Sequence, residues 1–399
     1  MKKWMVVLMV LIGMRGYADS WTQKADFPNS KVGPFSFSIG TKGYTGGGID
    51  ATSHLTNSFW EYNQLTNAWT QKADMGGPAR YYPAGFSIGN KGYAGLGMDQ
   101  NATNLNDFWE YDTSVNTWIQ KTNFPGLGCM YPVSFAIGQY GYVSCGWGSP
   151  NYYQDLWRYD PSSNIWLQKT SLSGTGRFGA NVFTIGNNAY IGGGNGGVPL
   201  NDFWEYNSLT DSWTQKANTP GHPRQDASSF SIGNKGYFGN GDTIGMGYLN
   251  DFWEYDANLN LWTQKVNVPG IGRDEAMFFT IGNKGYIGLG SGGNDLWEYS
   301  PDSATGINEI HNLISISLYP NPFSTTATLV INGVETQCIA SLQIINLLGQ
   351  EVKTIPIINQ KEIPIKVGIN RDNLPTGMYF YKIITNKNET VAVGKMVVE

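Results

Sequence analysis

Charged residues are scarce in this sequence: Asp, Glu, Lys and Arg make up 14% of 399 residues. The net charge is −5, and −8 once Lys2, Lys3 and Arg15 leave with an N-terminal leader. A mildly acidic chain excludes nucleic acid and anionic membrane as the main partner. Histidine is scarcer still. His54, His222 and His311 are scattered, so no metal or cofactor site is expected. There is no Gly-x-Ser-x-Gly elbow and no phosphate loop after a strand, and no catalytic residue is assigned. Long apolar runs are absent beyond Trp4 to Met14, which follows Lys2 and Lys3 and is too short to span a bilayer. With Gly16-Tyr17-Ala18 behind it, this run reads as a signal peptide, residues 1–18, cleaved after Ala18. The mature chain is expected to be exported and to carry no transmembrane anchor.

What the chain has in quantity is aromatics, at 14%, and glycine, at 51 residues. They are organised by a repeat. The phrase Asn106-Asp107-Phe108-Trp109-Glu110-Tyr111-Asp112 returns with its tryptophan at Trp60, Trp109, Trp157, Trp204, Trp253 and Trp297. A second tryptophan follows nine residues later at Trp69, Trp118, Trp166, Trp213 and Trp262. A period of this length, built of short aromatic strands, signals a propeller-like array. Each unit reads as four strands. In residues 84–121, Gly85–Ile88 is the first and Gly89–Gly92 a tight turn. Tyr93–Gly97, Phe108–Asp112 and Trp118–Lys121 are the others, and alternation is expected to set large aromatics on one face of every sheet. Six units begin at Phe37, Phe86, Phe135, Phe183, Phe230 and Phe279. The sixth lacks its last strand, and Trp21-Thr22-Gln23-Lys24 supplies that phrase at the N-terminus. The N-terminal strand is therefore expected to complete the sixth sheet and close the ring.

Arg80 precedes Tyr93 by 13 residues, and Arg177 with Tyr190, Arg224 with Tyr237 and Arg273 with Tyr286 keep that gap. With the glycines after each tyrosine and the later Trp and Tyr, the pattern resembles kelch repeats over residues 20–299. Two departures stand: the glycines are split, as in Gly95-Leu96-Gly97, and the usual His three after the Arg is absent. The resemblance implies an all-β, six-bladed propeller over residues 19–299. It implies no single activity, because such propellers serve enzymes and binding modules alike. The copper site of kelch-containing galactose oxidases has no counterpart in this spacing.

Residues 300–314 break the period and read as a linker. Beyond them, aliphatic strands at Ile316–Tyr319, Ala327–Ile331, Leu342–Leu347, Met378–Ile384 and Lys395–Val398 predict a small immunoglobulin-like β-sandwich over residues 315–399. Leu318-Tyr319-Pro320-Asn321-Pro322-Phe323, Ile345-Asn346-Leu347-Leu348-Gly349-Gln350-Glu351-Val352, Leu374-Pro375-Thr376-Gly377-Met378-Tyr379-Phe380-Tyr381 and Gly394-Lys395-Met396-Val397-Val398 follow in order. Together they resemble the C-terminal sorting domain of type IX secretion cargo. That resemblance implies a partner in the type IX machinery and passage through the periplasm of a Gram-negative bacterium. The destination would be its surface or medium. It also ties Gly394 and Lys395 to recognition.

Cys129 and Cys145 are a candidate disulfide in an oxidising compartment. If Gln139 and Tyr140 centre the hairpin, Cys145 pairs with Ser134. Cys129 then lies up to about 16 Å away along an extended chain. A bridge needs Cα atoms within about 7 Å, so the loop would have to double back. Cys338 is left unpaired. One slot, six residues before each unit's first Phe, holds Lys31, Arg80, Cys129, Arg177, Arg224 and Arg273. The start of the third strand carries Ser58, Asp107, Asp155, Asp202, Asp251 and Asp295. Either these cations and carboxylates fasten neighbouring strands, or the cations, with Tyr81, Tyr82 and Tyr131, bind a ligand at the mouth. Asp274-Glu275 is a weak acid/base candidate, because adjacent strand residues point apart. Two functions follow. One is an exported, non-catalytic protein binding a glycan or protein at the propeller mouth. The other is a sugar-active enzyme resembling kelch sialic-acid epimerases, which would need an acid or base inside the channel.

Overall fold

The computed structural model describes residues 19–301, 315–332, 339–346, 349–357, 365–385 and 390–399. The signal peptide, residues 302–314 of the linker and Cys338 lie outside the described residues. Ser300, expected to open the linker, is instead the last residue of a strand and pairs with Ser20. The chain divides into two compact units, one ending at Asp302 and one following it. No helix among the described residues is long and apolar enough to cross a membrane.

The first unit contains six four-stranded antiparallel sheets. Their inner strands are Phe35–Ile39, Ala84–Ile88, Val133–Ile137, Asn181–Ile185, Ser228–Ile232 and Met277–Ile281. Each touches the next, and the last touches the first, so they enclose a central channel. The sixth sheet is completed by Ser20–Gln23, which pairs with Leu296–Ser300 in the register Trp21↔Tyr299 and Gln23↔Trp297. The N-terminal phrase does close the ring.

Aromatics cover both faces of each sheet, where one face was expected. Tyr111 packs back on Tyr44 and Phe59 of the preceding sheet, while Phe108 packs forward on Tyr159 and Trp166. A ring of wedges has no free face, so Phe108 and Tyr111, on opposite faces of one strand, are both buried. The close approach rests on glycine. A Cβ on Gly92 would fall 2.2 Å from the Phe37 ring. The second tryptophan of each unit ties the outer strand to its neighbour: Trp118 Nε1 donates to the Ala73 carbonyl at 3.0 Å, and Trp21 closes the series on Val266 at 3.1 Å.

The second unit has a three-stranded sheet (Ser315–Tyr319, Thr326–Asn332, Ile365–Asn370) and a four-stranded one (Ile339–Ile345, Glu351–Pro356, Gly377–Thr385, Thr390–Val398). Leu329, Ile331, Leu342, Ile344, Ile383 and Met396 share one core. Two strands escaped the sequence reading: Glu351–Pro356, which has few apolar residues, and Ile365–Asn370, although its Ile365, Val367 and Ile369 alternate with polar or small residues. Gly394 lies against the Tyr381 ring, where a Cβ would come within 2.2 Å, and Lys395 is exposed.

Candidate functional site

The cationic slot is not at the channel mouth. Lys31, Arg80, Arg177, Arg224 and Arg273 are buried, the four arginines completely. Arg80 makes two parallel bonds to Asp107 at 2.5 and 2.6 Å, and Arg177 does the same to Asp202 at 2.6 and 2.7 Å. Arg224 with Asp251 and Arg273 with Asp295 repeat the geometry. Each carboxylate also accepts the indole N–H two residues on, as from Trp204 to Asp202 at 2.7 Å. Burial raises the cost of the Asp202 charge, yet the Arg177 guanidinium holds its carboxyl below the usual range. These five cations are therefore fastenings, and their reading as ligand groups is corrected: no face of them is left for a ligand.

The unit lacking an Arg explains the cysteines. Arg80 Nη1 donates to the Leu96 carbonyl, and Arg177 Nη1 to Gly193. At the same place Lys31 Nζ donates to Gly47, and Cys129 Sγ to Cys145 at 3.7 Å. The loop does double back, but it turns the Cys129 thiol onto the Cys145 backbone. The Cys145 thiol lies beside Ser144 Oγ. Both cysteines are free and buried, so the candidate disulfide is not formed. The hairpin also centres one residue earlier than supposed, pairing Ile137 with Tyr140.

Two residues beyond the cationic slot the chain reaches the mouth. That position holds Gly33, Tyr82, Tyr131, Gly179, Asp226 and Glu275, all at φ between 52° and 63°. Their backbones form a closed circle. Gly33 N–H donates to Glu275 O, Tyr82 to Gly33, Tyr131 to Tyr82, Gly179 to Tyr131, Asp226 to Gly179 and Glu275 to Asp226, at 2.8–3.3 Å. Left-handed backbone is uncommon for Tyr, Asp and Glu, and it clusters at functional sites.

The side chains of this circle line a cavity of about 160 Å³ at the end of the channel where the inner strands begin. Tyr82 and Tyr131 stack with ring centroids 3.5 Å apart. Both hydroxyls donate to Glu275 Oε1, at 2.5 and 3.1 Å. Tyr82 reaches over Gly33, where a Cβ would fall 2.4 Å from its ring. Asp226 reaches over Gly179 in the same way, its Oδ1 occupying the space of that Cβ. Phe178 lies 5.3 Å from Tyr131, with Trp147 and Tyr152 beyond it. Tyr81 backs onto Tyr82 at 4.3 Å. Further down, Ser38, Ser87, Thr184, Ser231 and Thr280 line the channel.

Burial pushes the Glu275 carboxyl up to about 7, and the negative charges of Asp274 and Asp242 push the same way against the two tyrosine hydroxyls. Asp226 is raised well above the usual carboxylate range by burial and by Glu275 and Asp274. Asp274 is raised too, first by burial and then by Asp242. Carboxyl oxygens of Asp226, Asp274 and Glu275 lie within 4.8 Å of one another.

Of the residues named from the sequence as ligand groups, Tyr82 and Tyr131 line this cavity; the Asp274-Glu275 pair is named there only as a weak acid/base candidate, and Asp226 is not named. The expectation that Asp274 and Glu275 point apart assumes an extended strand, whereas Glu275 sits at φ 52°. Aligning the repeats two positions further along would have exposed the series. His54 and His222 are exposed, and neither lines this cavity.

A family model described as the KLHDC2/KLHL20/DRC7 Kelch-repeats domain matches residues 36–237. A second, the secretion system C-terminal sorting domain, matches residues 317–399. Among solved structures, one titled "Structure of YjhT" superposes with a TM-score of 0.58 at 16% identity. The match covers 69% of this chain and 96% of that one, a likeness of fold. No curated protein matches the chain.

Proposed function

This chain belongs to the kelch-repeat family and ends in a type IX secretion sorting domain, and from that premise we propose that it is an exported glycan-binding protein. Residues 1–18 direct it to the periplasm, residues 315–399 are read by the type IX machinery, and the propeller acts at the surface or in the medium. The observation that carries the binding role is the circle of six mouth positions, whose backbone is fixed while its side chains converge on one cavity. Stacked tyrosines offer flat faces to sugar rings, and the carboxylates accept sugar hydroxyls.

The test is a glycan array probed with the mature protein and with Tyr131→Ala. The expected result is a defined set of glycans bound by the first and lost with the second. No glycan bound, or binding indifferent to Tyr131, defeats the reading. The secretion half is tested by removing residues 315–399: the propeller should accumulate in the periplasm, and normal export of the truncated chain would refute it.

One observation favours a sugar-active enzyme instead. Glu275, pushed up to about 7 and held by two hydroxyls, is poised to give or take a proton at neutral pH. Accelerated exchange between sugar anomers, followed by NMR and abolished in Glu275→Gln, would decide for catalysis.

A further inference from the structure

The mouth gathers acids that no cation among the described residues offsets. Four rim aspartates are each matched by a buried arginine. Asp226, Asp242, Asp274 and Glu275 have no lysine or arginine partner among the described residues. Asp226 is 8% exposed, and only its Oδ2 is hydrogen-bonded, by Gln225 Nε2 at 3.0 Å. Its Oδ1 accepts no hydrogen bond among the described residues and lies over Gly179, in the wall of the cavity. In a side chain otherwise almost wholly buried, that oxygen is open to a donor from a bound molecule.

The opposite wall is aromatic. Tyr82 and Tyr131 are stacked in the lining, and Phe178 packs against Tyr131. A cavity with acids on one side and ring faces on the other suits an organic cation, whose charge meets the carboxylates and whose body lies on the rings. A bare divalent ion suits it less. Calcium takes six to eight oxygens, and only three carboxyl groups, those of Asp226, Asp274 and Glu275, come together here among the described residues.

We infer that the mouth cavity is a socket for a protonated amino group, held by Asp226 and Glu275 and flanked by Tyr131. This rests on the reading of the mouth as a ligand site and names the chemistry that site selects. An amino sugar and a lysine side chain both offer that group. The groups facing Glu275 are Tyr82, Tyr131, Asp226, Asp242 and Asp274, all acidic or neutral, so a cation entering among them favours the ionised form. Binding is therefore stronger at pH 8 than at pH 5.5.

The experiment is calorimetric titration of the mature full-length protein with glucosamine, N-acetylglucosamine, Nα-acetyl-lysine amide and calcium chloride. The expected result is that glucosamine or the lysine derivative binds at least tenfold more tightly than N-acetylglucosamine, and loses tenfold or more from pH 8 to pH 5.5. Whichever amine binds tighter identifies the source. Asp226→Asn should lose tenfold or more in affinity with an unreduced melting temperature, and Glu275→Gln serves if that variant does not fold. If N-acetylglucosamine binds as well as glucosamine, the inference fails while the glycan reading stands. If calcium alone saturates the site and blocks the amines, the socket belongs to a metal and the inference fails. If no amine or sugar binds, both readings fall.

Discussion

Two sets of carboxylates share one end of the propeller and live under opposite conditions. Asp107, Asp202, Asp251 and Asp295 each face a buried guanidinium and an indole N–H, and those whose ionisation shifts are held down. A few residues away Asp226, Asp274 and Glu275 face one another and are held up. The first set joins the end of one strand to the loop before another. The second meets only neutral side-chain donors, the hydroxyls of Tyr82 and Tyr131 on Glu275, that of Ser291 on Asp274 and the Gln225 amide on Asp226, and no cation among the described residues. The same residue type at one rim can thus be mortar or bait, and what separates the two is whether the repeat supplies a partner for it.

The comparison breaks most sharply at a fastening. Arg177→Ala leaves the Asp202 charge without its cation, still bonded to the Trp204 indole N–H, and takes the Arg177 donor from the Gly193 carbonyl. It should cost about 3–5 kcal/mol of stability by chemical denaturation. A loss below about 1 kcal/mol would show the pair to be no fastening.

The next effect has the opposite sign with pH. Glu275 ionises near 7 when folded and near its ordinary 4.5 when unfolded. The unfolded chain therefore releases this proton first, and the contribution of Glu275 to stability is full below about pH 4.5 and is lost as pH rises through 7. The loss should amount to about 2–3 kcal/mol. It should vanish from the difference between pH 5 and pH 8 when Glu275→Gln is compared with the parent. An identical pH profile in both proteins would remove Glu275 from the account.

The smallest effect is a gain. Asp226→Asn keeps the shape and removes a carboxyl that burial and the neighbouring Glu275 and Asp274 disfavour in its charged form. The variant should therefore be more stable by about 1 kcal/mol at pH 8, with a smaller gain as the pH falls. Destabilisation at pH 8 would place Asp226 with the fastenings.

The ring was legible because its signals repeat. Six tryptophans at one spacing, and one missing strand matched by one displaced strand, defined the closure before any coordinate. The fastenings were legible only as a pair of alternatives, since Arg80 and Asp107 are 27 positions apart and sequence spacing does not tell burial from exposure. The acids were hidden by a backbone effect. Alternation governs extended chain, and Glu275 stands where the chain has turned left-handed. The thiols misled for a related reason: proximity of Cys129 and Cys145 was correctly entertained, but the direction of each Sγ depends on a carbonyl that no motif announces.

The pairing of Trp21 with Tyr299 also orders events in time. These partners are about 280 residues apart, and contacts that remote are the slowest to form. A chain that emerges N-terminus first must keep Ser20–Gln23 single until Leu296–Ser300 arrives. During that interval Trp21 is an unpaired aromatic edge, open to other chains. The last strand of the sixth sheet is the first to be made, so assembly ends where translation began, and every partly translocated copy is still an open ring.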